Sequence, residues 1–344
     1  MENNKFQEYL NYFRKALSIG QSFDIGERNL VIGGREAYLY YVEGFLKSEI
    51  LEQMMHVLLS VPKHEMGQRK DASEFIKYHL PYAQAAAEKN TDKMLKSLLS
   101  GLLLMVIDGY AEVIVIDLRT YPARGVEEPE KEKTLRGAKD GFVETLLFNT
   151  NLVRRRIRDP RLIFEMHTVG TSSKTDVCIG YMDGMVDEKA LKKVQGLIDD
   201  IRQDTLTVGD QSLVEAITKS RWLSPFPKVR YTQRPDVVAA HLTEGKLVVF
   251  VDNSPTAIMI PTCIFDFLQD TDDYYFPIAT GNYFRILRML NMIAVIFLTP
   301  GYLLMAEGDI PTHPRLEFFF PDEGYSMPLF VQFLLLELAI DGLK

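Results

Sequence analysis

Phe6, Leu10, Phe13 and Leu17 recur three and four residues apart, the interval that aligns one face of an α helix, so the first twenty residues predict an amphipathic helix. The period then shortens to two, and "NLVIGG" and "EAYLYYVEGF" read as strands. "KSEILEQMMHVLLSV" returns to the helical interval, with Ile50, Met54, Val57 and Leu58 on one face. Two further helical segments follow around 71–79 and 91–100. "LLLMVIDG" and "AEVIVIDL" are joined by Asp108-Gly109, a pair suited to a tight hairpin turn. Residues 1–120 are therefore expected to form a small α/β domain.

Residues 121–135, "YPARGVEEPEKEKTL", carry two prolines and a run of charges and read as a linker or extended arm. Residues 136–265 repeat the α/β style. A helix is predicted from about 140 to 158, and strands near "RLIFEMHTVG" and "KTDVCIGYMD". A helix over "DEKALKKVQGLIDDIRQ" has Asp187 as its N-cap. A shorter helix near 210–219 and strands at "KVRYTQR", "KLVVFVD" and "TAIMIP" complete a second α/β subdomain. No internal repeat is legible.

The last segment, 266–344, differs in kind. After an Asp- and Tyr-rich stretch (266–283), residues 289–306 contain no charge. Eighteen residues of helix span roughly 27 Å, close to a bilayer core. A second apolar run begins at Pro328, and the chain stops at Lys344, soon after it. This reads as the start of an α-helical membrane domain in a piece of a longer protein. The N-terminus lacks the build of a signal peptide. Arg285 and Arg288 before the span, against Arg315 after it, favour a cytoplasmic N-terminal region.

Composition narrows the function classes. A net charge of −8 argues against a nucleic-acid partner. The two cysteines, Cys178 and Cys263, are far apart and suggest neither a disulfide framework nor a zinc site. The six histidines fall in no metal-ligand spacing, and no phosphate loop or nucleophile elbow is present, so neither enzyme activity nor a cofactor finds support.

The segment from Arg124 to Leu162, "RGVEEPEKEKTLRGAKDGFVETLLFNTNLVRRRIRDPRL", resembles the signature block of the A-subunit family of bacterial spore germination receptors. "SPTAIMIPTCIFDFLQDTDDYY" and "LLLELAIDGLK" are similar to further signatures of that family. The resemblance implies two soluble α/β subdomains on the spore-core side and a membrane domain in the spore inner membrane. It also implies homo-oligomerisation into a channel that promotes ion release. As partners it implies a small membrane protein, or a transporter-like B subunit and a lipoprotein. A membrane-anchored scaffold or ligand-binding module without conductance is the alternative.

Three constellations carry candidate chemistry. Glu337 and Asp341 lie four apart in an apolar helix, where a carboxylate lines an ion path, or is a neutral packing group with Asp341 at the lipid boundary. Pro300 and Gly301 form a candidate helix break. Arg154, Arg155, Arg156 and Arg158 crowd the end of a helix, with Arg136 upstream. Residues 124–161 hold ten Lys/Arg and seven Asp/Glu, so charge compensation by the acidic arm, notably Glu127 and Glu128, is the expected role of this cluster. The contact would lie between subdomains or between subunits, and anionic lipid is the other partner considered. Asp266, Asp270, Asp272 and Asp273 are expected to form a solvated turn.

Overall fold

The computed structural model describes residues 2–68, 71–80, 84–120, 132, 137–201, 209–218, 227–268, 270–306, 318–320 and 327–342. In the first half, α1 (Glu2–Ala16) precedes a hairpin of β1 (Ile25–Ile32) and β2 (Arg35–Val42). Then come α2 (Ser48–Leu59), α3 (Lys63–Gln68), α4 (Ala72–His79), β3 (Ala85–Glu88), α5 (Thr91–Leu99) and a second hairpin, β4 (Leu103–Ile107) and β5 (Val113–Ile116). The strands form one antiparallel sheet in the order β1-β2-β4-β5-β3. Strand alternation decides which helix covers which face. Leu103, Met105 and Ile107 point to the side of α2–α4, while Leu104 and Val106 point to α1 and α5. The predicted stripe Phe6, Leu10, Phe13 and Leu17 is fully buried on that second side.

In the second half, α6 (Leu146–Arg156) leads into a hairpin of β6 (Leu162–Val169) and β7 (Thr175–Met182). It continues with α7 (Glu188–Asp199), α8 (Gly209–Thr218), β8 (Arg230–Thr232), α9 (Pro235–Thr243), β9 (Leu247–Val251) and β10 (Ala257–Ile260). The sheet order is β6-β7-β9-β10-β8. Position for position, this is the order of the first sheet. α6 and α9 cover one face, as α1 and α5 do, and α7 and α8 cover the other.

The repeat that the sequence hid is therefore structural. Residues 101–116 and 245–260 align without a gap, matching Gly101 with Gly245, Leu103 with Leu247, Asp108 with Asp252, Ile114 with Ile258 and Ile116 with Ile260. Backbone conformation matches too: Gly101 and Gly245 have φ of +93° and +86°, and Gly109 and Asn253 have +84° and +63°. Even a contact recurs. Gly101 abuts Phe45, three residues past β2, and Gly245 abuts Met185, three residues past β7.

One predicted boundary shifts. α6 begins at Leu146 rather than near 140, because the preceding residues are held extended. Phe142 N–H donates to Gln233 O, and the Asn149 side chain both accepts from Val143 N–H and donates to Val143 O. The Asp187 cap forms as expected, its carboxylate accepting from Lys189 N–H.

The chain divides into two compact units, Met1–Asp266 and Phe267–Lys344. α10 (Ile264–Leu268) spans the division in sequence. The second unit holds a 3-10 turn (Thr271–Tyr274), α11 (Ile278–Ala306) and α12 (Leu329–Gly342). α11 has 29 residues and is apolar and long enough to cross a membrane, roughly 43 Å at 1.5 Å per residue. It starts eleven residues before the charge-free stretch and runs through Pro300 and Gly301 without interruption, so this pair does not break the helix.

Candidate functional site

The arginine cluster at the end of α6 resolves into separate environments. Arg154 is completely buried, and so is its partner, Asp24, in the loop between α1 and β1. The guanidinium grips the carboxylate through two bonds, Nε to Oδ2 at 2.7 Å and Nη2 to Oδ1 at 3.0 Å. Nη2 also donates to Ser22 Oγ at 3.3 Å, and the group lies over the Phe164 ring, 5.1 Å from its centroid. Ser22 Oγ in turn donates to Asp24 and accepts from Phe164 N–H. Phe23 N–H donates to Phe164 O at 3.0 Å. Residues 22–24 of the first half thus lie along the outer edge of β6, with the ion pair sealed behind them.

Nearby, Gln21 Nε2 donates to Tyr181 Oη at 2.8 Å. Burial, reinforced by the Glu165 carboxylate, pushes the Tyr181 phenol up to about 12.

Arg156 is held by Asp140 at 2.5 Å and donates to Leu152 O at 2.9 Å. Arg155 and Arg158 are exposed and line, with Lys139, Asp140 and Arg156, a groove of about 460 Å³. Arg154 and Arg156 thus pair with Asp24 and Asp140. Glu127, Glu128 and Arg136 lie outside the described residues. The arm is represented by Glu132, whose carboxylate accepts from Thr232 Oγ1 and from Gln233 N–H at 2.7 Å. Arg234, fully buried, donates to Glu132 O and Ala138 O and pairs with Asp236. Arg234 stands where the first half has Asn90, the N-cap of α5. Sequence reasoning missed both Asp24 and Arg234, since no local pattern marks either.

Of the acidic set before α11, Asp270 is exposed as expected of a solvated turn, whereas Asp266 and Asp273 are not. Asp266 is buried and pairs with Lys246 at 2.5 Å. Asp273 is buried and receives two bonds from Arg288, at 2.5 and 2.8 Å. Burial raises the Asp273 carboxyl, but the Arg288 bonds, the Asp270 N–H and the Arg285 cation together hold the group below its ordinary value. Arg288 also donates to Leu268 O, so one side chain of α11 fastens both the 3-10 turn and the end of α10. Glu337 is exposed on α12. The Asp341 side chain lies outside the described residues. Among the described residues no group of three or more His, Cys, Asp or Glu could hold a metal ion.

His241, buried on α9, supplies a pH dependence. Burial lowers it from 6.5, the Lys246 and Arg230 cations act in the same direction, and the Glu244 carboxylate at 3.1 Å opposes them. The native state thus declines a proton that the unfolded chain accepts. This contribution is complete above about pH 6.5 and falls with pH below it, by at most about 1.4 kcal/mol per pH unit. His241→Gln is expected to flatten the pH dependence of the thermal midpoint between pH 7 and 5.5. An unchanged slope would remove His241 as its source.

Comparison with known proteins adds a second line of observation. Residues 11–344 match the family described as Bacillus/Clostridium GerA spore germination protein. The chain is 34% identical over 334 residues to stage V sporulation protein AF of Bacillus subtilis, covering 97% of this chain and 67% of that protein. It is 28% identical over 335 residues to spore germination protein KA of the same organism, covering 95% of this chain and 60% of that protein. The chain thus spans about three fifths to two thirds of these relatives. Among solved structures, it is similar to the N-terminal domain of the A subunit of the Bacillus megaterium spore germinant receptor GerK3. The TM-score is 0.55 at 26% identity, covering 75% of this chain and 95% of that one.

Proposed function

This chain belongs to the Bacillus/Clostridium GerA spore germination protein family, and from that premise we propose that it is a membrane subunit of an oligomeric germination complex that promotes ion release. The two relatives compared above are a sporulation protein and a spore germination protein. The observation that carries the reading is one of chain order: a soluble unit like that of a germinant-receptor A subunit is followed directly by a 29-residue apolar helix. Such a layout suits a protein that passes a signal from soluble domains to a membrane path.

In this reading α11 spans the spore inner membrane, with the soluble unit on the core side. The Asp273–Arg288 clasp sets the first turns of α11 against the segment that enters it. Glu337 and Asp341 face the conduction path, because a carboxylate in hydrocarbon is tolerated where it meets water or a partner. The acidic arm, through Glu127 and Glu128, meets Arg136, Arg155 and Arg158 across a subunit contact. Other germination membrane proteins complete the assembly, either a small membrane partner or a transporter-like subunit with a lipoprotein. The protein acts without catalysis.

The test is cation flux through liposomes carrying the reconstituted protein. Glu337→Gln is expected to lower the flux roughly tenfold, equivalent to about 1.4 kcal/mol on the barrier. Unchanged flux would remove Glu337 from the path. Silent liposomes, together with loss of assembly of other germination proteins when this one is absent, would assign it a scaffold role instead.

A further inference from the structure

The short helix α10, "IFDFL", has one polar side chain among four apolar ones. Successive residues of an α helix turn by about 100°, so Ile264, Phe265, Phe267 and Leu268 share an arc of about 160° centred opposite Asp266. Asp266 is buried and held at three points. Its carboxylate accepts from Lys246 Nζ at 2.5 Å and from Cys263 N–H at 2.8 Å, and its carbonyl accepts from Arg230 Nη1 at 2.5 Å. The Cys263 bond is half of a capping box, in which the third residue of a helix reaches back to the N–H of the residue before it. The polar side chain thus points into the protein, and the apolar arc points out. In the described residues Ile264, Phe265 and Phe267 are 49%, 55% and 44% exposed.

The far end of the helix fixes its level. Leu268 O accepts from Arg288 Nη1 at 3.0 Å. Arg288 is the last charge before the charge-free stretch 289–306. The end of α10 is therefore fastened where the apolar part of α11 begins, and Phe265 stands about 5 Å before it along the helix. Other rings share this level: Tyr283 and Phe284, five and six residues before Met289, are exposed on α11. Aromatic side chains concentrate where a bilayer meets water, and short amphipathic helices lie in that layer with phenylalanine and leucine turned to the acyl chains.

We infer that the apolar face of α10 is an interfacial anchor, which rests on the lipid bilayer beside the point where α11 enters it. Ile264, Phe265 and Phe267 lie among the glycerol groups and upper acyl carbons. The inference rests on the reading of α11 as a membrane span. Lipid is the occupant because the helix is tied to the first residue level of that span, and because the charges closest to it are already matched, Lys246 by Asp266 and Arg288 by Asp273. The apolar arc then has hydrocarbon to meet, and no charged group of the helix enters it.

The test uses the protein in liposomes of phosphatidylcholine and phosphatidylglycerol, with Trp222→Phe removing the sole tryptophan. In that background Phe265→Trp reports on α10 and Phe297→Trp, at the middle of 289–306, reports on α11. Lipids brominated near the glycerol should quench the Phe265→Trp variant at least twofold more than lipids brominated near the chain ends. The Phe297→Trp variant should show the reverse order. Ile264→Asn with Phe267→Asn, both at exposed positions, should lower the shallow quenching of the Phe265→Trp variant at least twofold, and an unchanged signal would overturn the apolar face as the anchor. Quenching of the Phe297→Trp variant alone would overturn the anchor and leave the span intact. Protection of the Phe265→Trp variant from aqueous iodide without quenching by lipid would assign the face to a protein contact and overturn the inference too. Quenching of neither variant would overturn the span, and the anchor with it.

Discussion

Asp24→Asn is expected to destabilise the soluble unit by about 3–5 kcal/mol, the usual consequence of leaving one charge of a buried pair without its partner. The geometry explains why the full penalty should fall here. Both side chains have no exposure, so no water reaches the stranded Arg154 guanidinium. The carboxylate also orients Ser22, and Ser22 accepts from Phe164 N–H, so the loss extends to the edge of β6. Denaturation with urea, followed by far-ultraviolet circular dichroism, measures the change. The double variant Asp24→Leu with Arg154→Met should recover much of the loss, because it removes both charges. A shift of under about 1 kcal/mol for Asp24→Asn would mean that this contact does not hold the halves together.

Gly245→Ala is the second large effect, at about 3 kcal/mol. Its φ is +86°, a region that L side chains rarely adopt, and an added Cβ would stand 2.5 Å from the Met185 carbonyl oxygen. Backbone cannot step aside. Gly101→Ala provides the internal control. Its φ is +93°, but the nearest atoms, at 2.9 to 3.2 Å, belong to the Phe45 side chain rather than to backbone. The first change should therefore lower the thermal midpoint about twice as far as the second. Equal shifts would show that torsional strain, rather than the carbonyl contact, sets the cost.

The contrast between these sites shows what the sequence could reveal. Strands, the Asp108-Gly109 turn and the Asp187 cap depend on neighbours in the chain, and periodicity finds them. β3 is only four residues long and α9 opens with Pro235, so neither gave a pattern long enough to read. The duplication escaped because the halves keep mainly glycines, turn residues and alternate core positions, while exposed residues have diverged. The Asp24–Arg154 pair escaped for a different reason. Charge counting favoured the acidic arm because it is near in sequence, whereas burial selects a partner by three-dimensional position. Arg156 follows the same logic with Asp140. Toward the end of the chain the apolar runs were legible, but the burial of Asp266 and Asp273 was not, since a run of aspartates alone reads as hydrated.

The distance along the chain between Asp24 and its partner has a consequence for biosynthesis. The two are 130 residues apart. At about 5–20 residues per second, a ribosome takes roughly 6–26 s to reach Arg154 after it has made Asp24. The first sheet and its helices are complete well before then, yet their loop carries a carboxylate whose only buried cation is still untranslated. During that interval the loop of residues 22–24 lacks its partner strand, and the contact closes when β6 arrives.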